Sequence, residues 1–161
     1  MAIPAVLVRP SEAGDVHAMV ELVEHRRRQY ETYQPVFWRK AEGSAQMSEL
    51  FFSSLIRNEA VTTLSAVEDG EVVGFAIVLE TPAPPVVDPG GPTATLDDFC
   101  VKTPARWEDV GTALLKAVRE AGRAKHWRQL VVVCANADLP KKQFLASADL
   151  SLASTWWTTT L

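Results

Sequence analysis

The feature that most constrains the fold is a two-residue turn between two runs of strand-forming residues. Asp69-Gly70 separates "VTTLSAVE" from "EVVGFAIVLE". An Asp-Gly pair suits a tight turn in which both central residues take positive φ, and β-rich runs on each side are typical of paired strands. The chain therefore predicts an antiparallel hairpin over 61–80.

Helical and strand patterns surround this hairpin and complete a mixed α/β order. Strands are expected at 6–10, 93–101, 129–135 and 151–161, and helices at 13–30, 44–57, 110–125 and 140–147. The helix over 44–57 would bury an apolar stripe of Met47, Leu50, Phe51 and Leu55. The run 129–135 is continuously apolar, as expected of a strand covered on both faces. With no repeat and no linker, residues 1–161 are interpreted as one domain.

Composition and charge exclude several classes of function. The chain has 161 residues and a net charge of −4, which argues against a nucleic-acid partner. No apolar run approaches the ~20 residues of a membrane span, and we expect a cytoplasmic protein. The three histidines lack metal-ligand spacing, so no metal is expected. Cys100 and Cys134 are interpreted as buried reduced thiols, with a disulfide or a reactive thiol as the alternative. The basic stretch "HRRRQY" is either a solvated helix end or an anion-binding patch.

The candidate chemistry lies at the N-terminus of one helix, which is called the helix mouth below. "LDDFCV" predicts a strand, and "RWEDVG" leads from it into the helix that starts near Val110. The first backbone N–H groups of a helix have no partner within it, and the helix dipole adds partial positive charge, so such a mouth binds anions. Every strand–helix unit has one, so the signal is weak by itself.

The order of elements, together with the "RWEDVG" segment, resembles the GNAT superfamily of acyl-CoA N-acyltransferases. Its signature is Q/R-x-x-G-x-G/A, in which Arg106 takes the first position and Gly111 the last. Val101 lies five residues before Arg106, the usual spacing in the family. "TLDDFCV" is similar to the strand of the diamine and polyamine acetyltransferase branch. The resemblance implies a central mixed sheet of six to seven strands flanked by about four helices.

The resemblance also implies acetyl-CoA as co-substrate and a set of residues that would bind it. These residues lie on the fourth strand, at the helix mouth and after the fifth strand: Phe99, Cys100, Val101, Arg106, Trp107, Asp109, Val110, Gly111, Thr112 and Asn136. Trp107 either stacks on the adenine or packs against a neighbouring helix. Asn136 either contacts the pantetheine arm or caps a loop.

Two positions depart from the family pattern. Asp109 stands where the first signature glycine is expected, and a carboxylate about 5 Å from a phosphate would cost roughly 3 kcal/mol at an effective dielectric near 20. Asp109 is also a preferred helix N-cap, expected to accept from an N–H two or three residues on, those of Gly111 and Thr112. The family's tyrosine proton donor has no counterpart, because Phe144 and Leu145 occupy its neighbourhood.

The fourth strand supplies the candidate catalytic groups. Strict alternation would place Thr95, Asp97, Phe99 and Val101 on one face and Asp98 on the other. By resemblance, the Phe99 N–H would hold the acetyl oxygen and Asp97 would accept the ammonium proton. Asp98 would attract the cation or stabilise the strand, and the alternative for both aspartates is a salt bridge.

Tyr30 and Tyr33 are candidate proton donors on the substrate side, with solvent as the alternative. Trp156 and Trp157 are assigned to the core or to a contact between two copies, which leaves a homodimer open.

The leading interpretation is an acetyl-CoA-dependent N-acyltransferase that acts on a small cationic amine by direct attack on the thioester. The alternatives are a catalytically degenerate CoA-binding or ligand-sensing module, and acyl transfer to a protein N-terminus or lysine.

Overall fold

The computed structural model describes residues 6–82 and 85–161. Five strands form one sheet in the order β1-β2-β3-β4-β5. The strands are β1 (Leu7–Pro10), β2 (Thr62–Glu68), β3 (Glu71–Thr81), β4 (Thr93–Val101) and β5 (Gln129–Val132). The helices are α1 (Val16–Tyr33), α2 (Ser44–Ile56), α3 (Val110–Ala124) and α4 (Leu139–Ser147), and short 3-10 turns precede α1 and α3.

The hairpin forms as predicted. Asp69 and Gly70 have φ of 50° and 83°, and β2 and β3 pair antiparallel on either side of them. β1, β2, β3 and β4 are antiparallel neighbours, whereas β4 and β5 are parallel because α3 crosses over between them. The mixed α/β class and the order of elements up to α4 are confirmed.

The sheet is covered on both faces. α3 and α4 pack on one face around Phe99, Leu114 and Phe144, and α1 and α2 pack on the other around Met19, Phe52 and other residues. Buried apolar side chains on alternate positions of β3 feed the two cores: Ala76 and Val78 point to α3, and Phe75 and Ile77 point to α1 and α2. This two-sided burial explains the continuous apolar run of β3.

Within the described residues the sheet has five strands, fewer than the six to seven expected. Residues 151–161 form neither strand nor helix, and Trp156 and Trp157 are 81% and 94% exposed. Strand preference depends on cross-strand and same-face packing, and this segment has no strand beside it. Assignment of the two tryptophans to the core is therefore also wrong, and their role in a contact between copies stays a prediction.

Two packing expectations also need correction. α2 buries Ser44, Ser48, Phe52 and Leu55, while Met47, Leu50 and Phe51 are exposed. Hydrogen bonds to α1 set this rotation, because Ser44 Oγ donates to Glu24 and Arg27 donates to Ser48 Oγ. β5 is not covered on both faces: it ends at Val132, lies at the sheet edge and leaves Val131 41% exposed.

Candidate functional site

A bulge in β4 sets the geometry of the site. The β3–β4 register runs from Val78↔Leu96 directly to Ile77↔Asp98, so Asp97 is an extra residue. As a result Leu96 and Phe99, three positions apart, belong to the same core beneath α3. The predicted alternation is therefore wrong for Thr95 and Asp97, whereas Phe99 and Val101 share one face and Asp98 points to the other, as expected.

Beyond the bulge, one edge of β4 is free. The Lys102 N–H donates to Val73 O, and backbone bonds in an antiparallel pair recur at every second residue, so Cys100 also bonds to β3. The N–H and C=O groups of Phe99 and Val101 therefore point away from β3. β5 does not meet them, because its pairing stops at Leu96↔Val132 and the last backbone bond runs from Val133 N to Leu96 O. A strand that diverges in this manner leaves peptide groups ready for another extended amide chain.

α1 closes the other side of the bulge. Arg26 donates to Asp98 Oδ1 at 2.6 Å and to Asp97 O at 3.2 Å. The Arg26 and Asp98 side chains are only 17% and 16% exposed. Neither reading of "HRRRQY" holds for Arg26 and Arg27, because Arg26 pairs with Asp98 and Arg27 pairs with Glu24.

Asp97 carries no ion pair among the described residues, and its side chain is exposed. Loss of hydration and the neighbouring Asp98 raise the pKa of the Asp97 carboxyl, while Arg26 opposes the rise. Asp97 is thus a free carboxylate of increased basicity beside the free edge of β4, whereas Asp98 is the salt-bridged member of the pair.

A cleft lies between α1, the second half of β4 and the start of α4. Its walls include Arg26, Phe99, Trp107, Asp138 and Pro140. Tyr30 is buried behind this wall, and its hydroxyl donates to Asp138 Oδ2 at 2.8 Å. Burial raises the pKa of Tyr30, which makes it a poor acid in this state. Tyr33 is half-buried beside it, with ring centroids 5.8 Å apart, and burial raises its pKa as well.

Lys141 is buried against β4, next to the cleft residue Phe99. It is 1% exposed, and its Nζ donates to Phe99 O at 3.2 Å. Asp138 caps α4 by accepting from the Lys141 N–H, which directs the first turn of the helix at the free edge. Cys100 is buried and Cys134 is half-buried, both as free thiols, and burial raises the pKa of each.

Three charged side chains, those of Glu68, Arg106 and Asp109, form connected ion pairs at the helix mouth. Arg106 donates to both oxygens of Asp109 at 2.9 and 3.0 Å and to both oxygens of Glu68 at 2.9 and 3.0 Å. Although partial burial opposes ionisation, hydrogen bonds from Arg106 and from the Val110 N–H lower the pKa of Asp109.

The Asp109 cap differs from the expectation. Its carboxylate accepts from the Val110 N–H at 2.7 Å rather than from Gly111 or Thr112. No acceptor among the described residues takes up the N–H groups of Gly111 and Thr112, so these amides face outward at the mouth.

Trp107 follows its packing alternative, whereas the role of Asn136 stays a prediction. Trp107 is 7% exposed and stacks on Phe144 at 5.3 Å, which leaves no open ring face for adenine. Gly111 is required by the same contact, since a Cβ there would lie 2.7 Å from the Trp107 ring. Asn136 is exposed, and its backbone and side-chain oxygens both accept from Lys142 Nζ.

The structure places Phe99, Cys100 and Val101 on the wall of the cleft, with the helix mouth beyond the 3-10 turn. Asp97 lies at the adjacent bulge, Tyr30 is hydrogen-bonded to the wall residue Asp138, and Asn136 does not line the cleft. Sequence reasoning missed Arg26, Asp138 and Lys141. Arg26 and Tyr30 lie one helical turn apart and could have been assigned to one face. Lys141 gave no signal, because "KK" after a proline reads as solvated surface.

Within residues 6–82 and 85–161, no helix is both long and apolar enough to cross a membrane. In the same ranges, no group of three or more His, Cys, Asp or Glu side chains is arranged to hold a metal ion.

Comparison with known proteins gives a family and a fold. A family model described as Acetyltransferase (GNAT) family matches residues 19–146. The comparison with curated proteins finds no matching sequence.

Three solved structures illustrate the fold. The BH1408 protein from Bacillus halodurans, in a tetramutant form, is 16% identical with a TM-score of 0.82, over 96% of this chain and 99% of that one. A predicted acetyltransferase with acetyl-CoA from Clostridium acetobutylicum is 10% identical with a TM-score of 0.73, over 96% of each chain. Ribosomal-protein-alanine N-acetyltransferase from Brucella melitensis biovar Abortus 2308 is 17% identical with a TM-score of 0.65, over 98% and 100%.

Proposed function

The chain belongs to the GNAT acetyltransferase family, and from this premise we propose that it is an acetyl-CoA-dependent N-acetyltransferase acting on a primary amine. The observation that carries the proposal is the free edge of β4. Among the described residues, the N–H groups of Phe99 and Val101 have no partner in the sheet, and both residues line the cleft.

The residues present fit the co-substrate. Its pantetheine arm is an extended chain with two amides, which suits a strand edge with free donors and acceptors. The diphosphate suits the outward amides of Gly111 and Thr112, joined by those of Trp107 and Val110 once Asp109 and Arg106 rearrange. We assign Phe99, Cys100 and Val101 to the arm, and the exposed Asn136 stays a candidate contact with it. Acetyl-CoA supplies the activated acyl carbon when bound.

Three residues of β4 then have separate roles in acyl transfer. The Phe99 N–H is the donor for the acyl oxygen, where negative charge develops during attack. Asp97 accepts the proton of the incoming ammonium, directly or through water. Asp98 positions this machinery, because its ion pair with Arg26 holds the bulge that turns Phe99 toward the cleft.

The acceptor we propose is a small cationic amine, as in the polyamine branch that β4 resembles. Asp97 is an exposed carboxylate at the β4 bulge, two residues before Phe99, and a net charge of −4 attracts cations over a longer range.

Two measurements test the proposal. Acetyl-CoA at millimolar concentration should raise the melting temperature, and thiol release should follow over a panel of polyamines, monoamines and peptides with a free alanine N-terminus. Polyamines should give the largest kcat/KM. Absence of any melting shift would contradict the function, and turnover confined to the peptides would contradict the acceptor.

Asp97→Asn should lower kcat by about 10²-fold or more, because the substitution removes the base. A base acts only when deprotonated, so the wild-type rate should fall as the pH drops through the raised pKa of Asp97. The variant should lose that acid limb, as shown by pH–rate profiles. A variant with full kcat and an unchanged profile would assign the base elsewhere.

A second candidate is a CoA-binding sensor without turnover. It is favoured by the Asp109 carboxylate, which sits at the Val110 N–H where a phosphate would bind. A melting shift with acetyl-CoA but no thiol release with any amine would support this candidate against the enzyme.

A further inference from the structure

Lys141 is a buried cation that no carboxylate neutralises. It is 1% exposed, and none of the ion pairs found among the described residues includes it. Its Nζ contacts Phe99 O at 3.2 Å and lies 5.4 and 5.5 Å from the ring centroids of Phe99 and Trp107. Lysine is almost never fully buried unless it is paired, and core packing alone is satisfied by an apolar side chain.

The position of this amine relates it to the reaction. Phe99 O and the Phe99 N–H face the same side of β4, because both groups of one residue in an antiparallel strand point to the same edge. Lys141 Nζ therefore lies about one residue's length from the donor assigned above to the acyl oxygen. An acyl group held by that donor would lie on the same edge of β4 as Nζ, and bound groups react when they are held in contact.

The surroundings favour the neutral, nucleophilic form of the amine. Burial and the guanidinium of Arg26 both lower the pKa of Lys141, while Cys100, Cys134 and Asp138 oppose the change. The rings of Phe99 and Trp107 lie beside the amine and supply apolar surroundings.

We propose that Lys141 is an acyl-acceptor site within the protein itself, modified by an acyl thioester bound along β4. This inference rests on the proposed function. After the ammonium releases one proton to water, the Nζ lone pair forms a C–N bond to the thioester carbon. The C–S bond breaks, the electron pair leaves with sulfur, and a second Nζ proton ends on the thiol.

The product suits its environment better than the starting amine does. An amide carries no charge, so acylation removes the cost of a buried ammonium. It keeps one N–H, which can still donate to Phe99 O. Modification would therefore leave the contact with β4 in place and remove a charge next to the cleft.

Peptide mapping by mass spectrometry tests this proposal on the full chain incubated with isotope-labelled acetyl-CoA and no amine. Label should accumulate on Lys141 faster than on the exposed Lys102 and Lys116, and urea-unfolded protein should lose that preference. Lys142→Arg, at the neighbouring position, should leave the rate on Lys141 unchanged, whereas Lys141→Arg should abolish the fast phase. Labelling of Lys141 no faster than the exposed lysines would overturn the proposal.

The outcome is distinguishable from failure of the proposed function. If acetyl-CoA raises the melting temperature and amines are acetylated while Lys141 stays unmodified, the inference fails and the function stands. If acetyl-CoA produces neither a shift nor turnover nor label, both fail. Fast labelling of Lys141 without amine turnover supports the inference and contradicts the amine acceptor.

Discussion

The two halves of β4 differ in how their backbone is used. From Thr93 to Leu96 the strand pairs with β3 on one side and β5 on the other. From Asp98 to Val101 it pairs with β3 alone. The first half is ordinary sheet interior, whereas the second has donors and acceptors to offer a ligand, and the single extra residue Asp97 separates them.

This contrast shows that the site is made by backbone as much as by side chains. Phe99 is a fully buried core residue, yet its peptide groups face the cleft. Substitutions on β4 should therefore separate according to which edge of the strand they affect.

Cys100→Pro should disrupt the edge of β4 that pairs with β3, and Val101→Pro should disrupt the free edge. These two substitutions should have the largest effects. Cys100 bonds to β3, so proline there should cost about 3 kcal/mol or more in the free energy of unfolding, through a lost ladder bond and a strained core. Val101 N–H is not used in the ladder, so its substitution should cost much less stability and should weaken acetyl-CoA binding. Urea unfolding and calorimetric titration measure the two effects. Equal destabilisation by both would show that Val101 also bonds within the sheet.

Asp98→Ala should destabilise by about 3 kcal/mol, because it leaves Arg26 largely buried without its carboxylate. Asp97→Ala is the matched control in the same bulge, and its exposed side chain should cost under about 1 kcal/mol. Thermal unfolding of the pair at neutral pH gives the comparison. A larger loss from Asp97→Ala would mean that the bulge is held from the solvent side.

Asp109→Asn should strengthen acetyl-CoA binding by roughly five- to tenfold, since it removes a partly screened negative charge from the phosphate seat. Glu108→Gln removes the same charge from an exposed neighbour and should change the affinity little. Titration of both variants with acetyl-CoA at two salt concentrations measures this difference in affinity. Weaker binding to Asp109→Asn would indicate that Asp109 orders Arg106 for the ligand.

Thr95→Ala should have the smallest effect. Thr95 shares an exposed hydrogen bond with Thr81 in the doubly paired half of β4, worth under about 1 kcal/mol. Acetyl-CoA affinity should not change, and a change would show that the ligand reaches past the bulge.

Elements with local signals were predictable from the sequence, and features set by partners were not. The Asp69-Gly70 turn and the long helix after Asp109 are determined by nearby residues. The rotation of α2 depends on Ser44 and Ser48 meeting Glu24 and Arg27 of another helix. The aromatic run near Trp156 reads as a strand, but a strand needs a neighbour.

The candidate site was predictable in location and not in detail. "TLDDFCV" and "RWEDVG" identified the strand and the helix mouth, and both border the cleft and its approach. Alternation failed at Asp97 because a bulge depends on the register with β3, which one strand's sequence does not reveal. Arg26 and Lys141 enter from α1 and α4, distant in sequence from β4.

The bulge has a consequence for how this region can change over evolutionary time. Nine residues of β4, Thr93 to Val101, lie opposite eight of β3, Gly74 to Thr81. Swapping one amino acid for another preserves that mismatch in length, whereas losing a single codon between positions 95 and 98 would remove the bulge and leave eight residues opposite eight. The number of residues in β4 is therefore under selection together with their identity. Variants of β4 that lack one residue at the bulge should be absent from a library selected for function.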